Sequence, residues 1–437
     1  MKFVYTAIAM QAVAMAANAQ DTTLQRADLH FQTTYIYQYK PEFRASYSGA
    51  HSISSKEEKQ NSLTATLYFG LRLWKGAELY INPEVAGGSG LTGAFGMAGS
   101  TNGETFRVGD PAPSLYLARA FFKQTIALSD KYSWLDDGQN QLHTAEPERF
   151  IRLVVGKFSL GDCFDNNRFA NGPRTQFLNW ALMNNSAWDY SANLRGYTAG
   201  AIVALKWDKM CYKLAMAAEP TVANGGKLNY NYGMSQGIVA EAAREITINK
   251  REGNIRLLVY RNQANMGSYR EAINNTNFSG GQPDVITSEH NGNTKTGFGI
   301  NVDQSLTDYL GVFARIGWND GFNETWAFTE ADETASAGVN VDGWLWHRKN
   351  DNVGVGFVAN GLSKDHRDYL AAGGLGFQLG DGALAYAPEM VGEVYYSCHP
   401  VKQGIWLSGD YQFAAHPGYN KDRGPLSVFS FRLHVEI

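Results

Sequence analysis

The last eleven residues, 427–437, alternate cleanly. Phe429, Phe431, Leu433, Val435 and Ile437 are apolar, and Ser430, Arg432, His434 and Glu436 between them are polar. A period of two puts each set on its own face of a strand. The same alternation runs through 29–40, where Leu29, Phe31, Tyr35, Tyr37 and Tyr39 oppose His30, Gln32, Thr34, Gln38 and Lys40. In 62–73, Leu63, Ala65, Leu67, Phe69, Leu71 and Leu73 oppose Thr64, Thr66, Tyr68, Gly70 and Arg72. A third run sets Ala77, Leu79 and Ile81 against Glu78, Tyr80 and Asn82 and ends near Pro83-Glu84. Further strands are predicted near 115–128, 149–158, 196–207, 210–219, 236–248, 253–264, 295–304, 309–318, 336–345, 352–360, 388–398, 404–413 and 427–437. That makes about sixteen, an even number, each near the ten residues that cross a bilayer core when tilted. Alternation alone fits both a soluble sheet over a core and a barrel between lipid and water.

The connections separate the two. Long segments at 41–61, 86–114, 159–195, 220–235, 265–294, 319–335 and 361–387 alternate with short ones at 74–76, 208–209, 249–252, 305–308, 346–351 and 399–403. Short periplasmic turns and long extracellular loops are the habit of outer-membrane barrels, whereas a soluble sandwich has no reason to sort loops by parity. With both ends of the barrel periplasmic, the long loops fall outside the cell. Only 129–148 is too long for its side, and a small periplasmic insertion is expected there. The fold class expected is all-β: a single-chain antiparallel transmembrane barrel of about 16 strands.

Composition agrees. Charged residues are 18% of the chain, against roughly 25% in ordinary soluble proteins, while aromatics reach 13% and Gly numbers 46. The net charge is −4, with no basic patch of the kind a nucleic-acid partner requires. Residues 1–19 read as a secretory leader: Lys2, a mostly apolar stretch to Met15, then Ala17-Asn18-Ala19, so the exported domain is expected to span 20–437. No apolar run is long enough for a spanning helix. Export plus alternating strands points to the periplasm or the outer membrane, and the loop-length parity selects the outer membrane of a Gram-negative cell, with outer-membrane lipid around the barrel. Cys163, Cys211 and Cys398 are too few for a disulfide framework and match no metal spacing. No cofactor is expected. Nor is an enzyme, since G-x-S-x-G, H-E-x-x-H and Walker A motifs are absent.

The chemistry concentrates in loop 159–195. It holds Asp162, Asp165, Arg168, Arg174, Trp180 and Trp188 among many amides and aromatics. A loop this apolar packs somewhere, and inside the lumen it would narrow a channel. Flat rings suit the C–H faces of a sugar, while Asn, Gln, Asp and Arg exchange hydrogen bonds with its hydroxyls. Phe164, Phe169, Phe177 and Leu178 read as pins to the wall; Arg168, Arg174 and Trp180 are candidates to line the pore. Arg72, Glu78, Tyr80, Arg119, Lys123 and Arg152 lie on predicted lumen faces, as contacts to solute or as wall ion pairs. The aromatic and acidic stretch 317–330 reads as extracellular loop packing.

The chain resembles the carbohydrate-selective, OprB-like porins. The resemblance rests on Ala77-Glu78-Leu79-Tyr80-Ile81-Asn82-Pro83-Glu84, Tyr116-Leu117-Ala118-Arg119, Gly156-Lys157-Phe158, Asp165-Asn166-Asn167 and Pro173-Arg174-Thr175-Gln176-Phe177. It also rests on Gly317-Trp318-Asn319-Asp320-Gly321, His366-Arg367-Asp368-Tyr369-Leu370 and Asp422-Arg423-Gly424-Pro425. It implies passive diffusion of neutral mono- or oligosaccharides through a constriction of arginines, acids and aromatics, a role carried here to Glu78, Glu84, Arg119, Arg168, Arg174 and Trp180. Ile437 departs from the aromatic residue with which outer-membrane proteins usually end. A general or anion-leaning porin, a barrel enzyme acting on lipid or polysaccharide, and homo-oligomer formation all remain open at this stage.

Overall fold

The computed structural model describes residues 24–105, 111–401 and 404–437; the expected leader 1–19 lies outside them. The strands are β1 (Ala27–Lys40), β2 (Glu58–Trp74), β3 (Ala77–Gly88), β4 (Ser114–Ala127), β5 (Tyr132–Leu135), β6 (Thr144–Pro147), β7 (Phe150–Phe158), β8 (Thr198–Trp207) and β9 (Met210–Ala217). They continue with β10 (Gln236–Ile248), β11 (Arg251–Ala264), β12 (Asn293–Ser305), β13 (Leu310–Asn319), β14 (Glu333–Asp342), β15 (Asn352–Gly361), β16 (Glu389–Val401), β17 (Ile405–Ala415) and β18 (Leu426–Glu436). All but β5 and β6 join one closed antiparallel barrel of 16 strands, each beside its sequence neighbours. Closure leaves no free edge, as a backbone in hydrocarbon demands.

The seam lies between β18 and β1, where Tyr35 faces Leu433 and Tyr37 faces Phe431. Ile437 completes it, its N–H and C=O pairing with Phe31 at 2.9 and 2.8 Å. Phe429 and Phe431 are half exposed on the outside, while Arg432 and His434 are fully buried inside. The outer band repeats this with Leu63, Phe69, Leu257, Val259 and Phe357.

Several boundaries differ from expectation: β2 starts at Glu58 rather than 62, and β3 runs on to Gly88, past the end expected near Pro83-Glu84. The predicted 336–345 is Glu333–Asp342, and Gly343–Trp346 is a 3-10 turn. Trp344 and Leu345 are exposed at the rim, Trp344 stacking on Tyr309 at 5.4 Å. Their apolar character serves the membrane interface, which pattern alone reads as more strand.

Both ends of the barrel are furnished. Outside the cell, helices Tyr269–Ser279 and Lys364–Ala371, capped by Ser268 and Ser363, bring Tyr269 onto His366 at 4.3 Å and Tyr369 at 5.0 Å. On the periplasmic side, β5 and β6 pair as a hairpin within 129–148. Cys163, Cys211 and Cys398 are free thiols.

Candidate permeation pathway

Loop 159–195 is folded inward. Apart from the turn Leu160–Asp162 and the single helical turn Trp180–Met183, it has no regular structure of its own among the described residues. Its buried amides and carbonyls therefore need partners from elsewhere, and charged side chains on the barrel's inner face supply them. Arg315 on β13, fully buried, donates to the carbonyls of Ala170 at 2.6 Å, Leu182 at 3.1 Å and Asp165 at 3.2 Å, and pairs with the Asp165 carboxylate at 3.1 Å. Glu393 on β16 accepts from the N–H groups of Leu178 and Asn179 at 2.6 and 2.9 Å. Glu241 on β10 accepts from that of Asp165 at 2.7 Å. Arg432 on β18 donates to the carbonyls of Pro173 and, at 2.7 Å, Gln176.

Shape makes room for the loop where charge holds it. Gly311 and Gly317 share the inner face of β13 with Arg315. A Cβ at Gly311 would lie 2.1 Å from the Phe169 ring, and one at Gly317 would lie 2.1 Å from the Asn185 amide. Phe177 packs on Phe313 and edge-on to Tyr395 at 5.5 and 5.0 Å.

The loop crosses the lumen. Arg168 binds Asp303 on β12 at 2.6 Å, beside Arg256, which binds the same carboxylate at 2.7 Å. Six residues on, Arg174 reaches Glu84 on β3 at 3.5 Å. Strands β12 and β3 lie seven places apart round the ring of 16, nearly opposite.

Around Arg174 the polar groups converge. It binds Glu104 at 3.0 and 3.2 Å and the Tyr68 hydroxyl at 3.2 Å. Burial alone would lower its pKa, but Glu104, Tyr68 and Glu84 more than offset that, so the guanidinium is held charged more firmly than usual. Glu84, fully buried, also accepts from Thr66 at 2.5 Å, Tyr197 at 3.1 Å and Tyr116. Arg119 forms a two-pronged bond to Asp162 at 2.7 and 2.6 Å and lies 5.1 Å over the Tyr197 ring; Arg195 lies 3.9 Å over Tyr116. Such forks hold planar groups in one orientation. Among the described residues, Arg119, Arg174 and Arg195 are thus interleaved with Glu84, Glu104 and Asp162. About a third of each of the Asp162 and Arg168 side chains faces water, at 36% and 34%.

The six residues taken from the sequence divide into four places. Glu84, Arg119 and Arg174 meet in this cluster. Arg168 sits across the lumen on β12. Glu78 lies lower, toward the periplasm, bound to Lys123 at 2.6 Å, Arg72 at 3.3 Å and Tyr80 at 2.8 Å. Trp180 is buried, stacked on Phe328 at 4.8 Å. Segment 320–332 therefore packs inward as well: its Asp189-bound amides, Trp326 and Ala327, are held at 2.8 and 2.7 Å. In that segment burial raises Glu324 to about 8 and Glu330 to about 7.

Sequence reasoning overlooked Glu104, Asp303, Arg315 and Glu393. The last three had a usable signal, a charge on the inner face of an alternating strand. Glu104 had none, because nothing local shows that 89–105 also turns inward, where Thr101 binds Gln38 and Gln412 and Glu104 accepts from Thr64.

The sequence profile of the carbohydrate-selective porin, OprB family, matches residues 50–437. The chain belongs to this family. It is accordingly an outer-membrane porin for sugar-preferring diffusion, and family and fold together point to a channel rather than an enzyme. Among solved structures the chain is similar to OprB of Pseudomonas putida at high pH, with a TM-score of 0.72, 16% identity and 94% of each chain covered. It is also similar to the outer-membrane channel DcaP of Acinetobacter baumannii, with a TM-score of 0.53, 12% identity, and 94% of this chain and 97% of that one covered. At these identities the likeness concerns the porin barrel itself. No curated protein sequence matches. Within the OprB-family barrel, loop 159–195 is bound at both β3 and β12.

Proposed function

We propose that residues 20–437 form one channel domain, that loop 159–195 is its constriction, and that the solutes are neutral mono- or oligosaccharides. The observation that carries this reading is the pairing of arginines with carboxylates around Arg174. Arg119 is fixed to Asp162 and Arg174 to Glu104 and Glu84, so a passing hydroxyl finds donors and acceptors side by side. Arg168, Arg174 and Arg119, with Asp162, are the groups offered to solute. Glu84 orients Arg174 through its tyrosine partners, and Trp180 shapes the loop from behind. Glu78 acts further down the same path.

Liposome swelling tests this directly. Glucose should enter faster than an amino acid of similar size, and a disaccharide more slowly than glucose. Equal rates for glucose and the amino acid would mean general diffusion. A strongly anion-selective reversal potential in a KCl gradient would favour the anion-leaning alternative.

A further inference from the structure

The periplasmic hairpin breaks the rule that turns on that side are short, and it does not hang free. The segment turns back into the barrel mouth. Gln139 donates to Gln32 on β1 and to Glu436 at the end of β18, both at 2.8 Å. Asn140 accepts from Asn82 on β3 at 2.9 Å, and the Leu142 N–H reaches the Tyr80 hydroxyl at 3.3 Å. Leu142 itself is fully buried. The His143 carbonyl accepts from Arg72, and its N–H donates to Gln25 at 2.8 Å. Bonds to β1, β2, β3 and β18 fix the segment at several points, more than a connecting turn needs.

Between this roof and the wall lies a cavity of about 350 Å³, within the range of small-molecule sites. Its lining includes Arg72, Glu78, Lys123, Arg152, Tyr132 and Gln141. Both carboxylates are locked to cations, Glu78 to Arg72 and Lys123, and Glu146 to Arg152, while Lys75 lines the exposed rim. Arg152 is braced further by Thr125 at 3.0 Å. Tyr132 exposes nearly half its surface. Paired charges, a carboxamide and an aromatic face are groups that suit a sugar ring and its hydroxyls.

We propose that the hairpin builds a second sugar-contacting site, in the cavity it roofs at the periplasmic end of the lumen, and that it takes a neutral monosaccharide. This rests on the neutral-saccharide reading above. The locked pairs favour a neutral ring over a sugar acid, whose carboxylate would compete with Glu78 and Glu146 for Arg72, Lys123 and Arg152, leaving it Lys75, which is solvated at the rim. Tyr132 would pack against the ring, and Gln141 would bind a hydroxyl.

The test uses single channels of known orientation in planar bilayers, with glucose or glucuronate added to one side at a time and the sugar-induced drop in ionic current titrated. Tyr132→Ala and Gln141→Ala are compared with the unaltered protein, each checked for barrel folding by heat-modifiable gel migration. The expected result is about fivefold weaker glucose block from the periplasmic side in each variant, the loss of one contact. Block from the extracellular side and the swelling preference for glucose should be unchanged. Unchanged periplasmic block in both variants, with sugar preference intact, would overturn the second site alone. Stronger block by glucuronate than by glucose from the periplasmic side would overturn its neutral specificity. Absence of any glucose block or swelling preference in the unaltered protein would overturn the neutral-saccharide reading together with this proposal.

Discussion

Replacing Arg315 with Met should open the constriction. The guanidinium is fully buried and holds three separate points of loop 159–195, near Asp165, Ala170 and Leu182. Met keeps much of the side-chain volume, so the barrel wall stays filled. What disappears is the positive charge facing Asp165, together with donors to three backbone carbonyls. Removing one partner of a buried ion pair costs about 3–5 kcal/mol, because the other is left buried and uncompensated. Part of that is recovered when water enters, and Asn301 still donates to the Asp165 carboxylate at 2.7 Å. A net loss of about 3 kcal/mol shifts the ratio of docked to released loop by about 150-fold, at 1.4 kcal/mol per factor of ten. The assay is single-channel recording beside liposome swelling. Arg315→Met should show larger mean conductance, more open-channel noise, and faster disaccharide entry relative to glucose. The barrel itself should persist, since β13 keeps its ladders to β12 and β14. Unchanged conductance and an unchanged glucose-to-disaccharide ratio in a folded variant would show that Arg315 does not hold the constriction.

Glu84→Gln leaves Arg174 with less compensation, so the reversal potential in a KCl gradient should shift toward anion selectivity; no shift would mean that the cluster's charge balance does not govern selectivity. Gly311→Val drives a side chain into Phe169 and should cost about 1–3 kcal/mol, the usual range for overpacking, read as a lower thermal unfolding midpoint. Leu257→Arg puts a charge on the outer face of β11 and should destabilise insertion by about 2–4 kcal/mol near the midplane, measured by chemical unfolding in lipid vesicles. For segment 320–332, Glu324 and Glu330 have folded-state pKa values raised from 4.5 to about 8 and about 7 by burial. The docked state therefore binds more protons than the undocked one, and docking weakens as pH rises from about 4.5 to about 8. His366, Lys295 and Glu289 share that surrounding field. Hydrogen exchange at Trp326, Ala327 and Phe328, corrected for intrinsic rate, should show less protection at pH 8 than at pH 5.5; equal protection would refute the linkage.

Much of the barrel could be read directly from the residues. Alternation at 62–73 or 427–437 is a local property, because a strand next to lipid needs its outer side chains apolar whatever the distant chain does. Loop-length parity is nearly as local, and it separates a membrane barrel from a soluble sheet. Boundaries slipped where another demand used the same residue types, as with Trp344 and Leu345 at the membrane rim, and where a strand outran its clear alternation, as β2 and β3 do at their extracellular ends. The lumen was legible in part. Strand periodicity put Arg432 and Arg119 inside, but an inner-face position is equally suited to touching solute and to holding a loop.

That distinction required the tertiary structure. Arg432 and His434 brace: the arginine grips loop carbonyls and Asp410 at 3.2 Å, and the histidine meets Thr34 at 2.7 Å and Glu436 at 2.9 Å. Arg174 and Glu84 meet although 90 residues separate them. An irregular loop inside a barrel cannot satisfy its own backbone, so it takes whichever wall charges its path brings within reach. The sequence alone determined the barrel, its membrane setting and which side chains point inward, because these follow from the two-residue period and the cost of exposing polar groups to lipid. Only the tertiary structure decided which of those inward groups face water and which hold the inward loop in place, because hydrogen bonds across the lumen join residues that no local pattern connects.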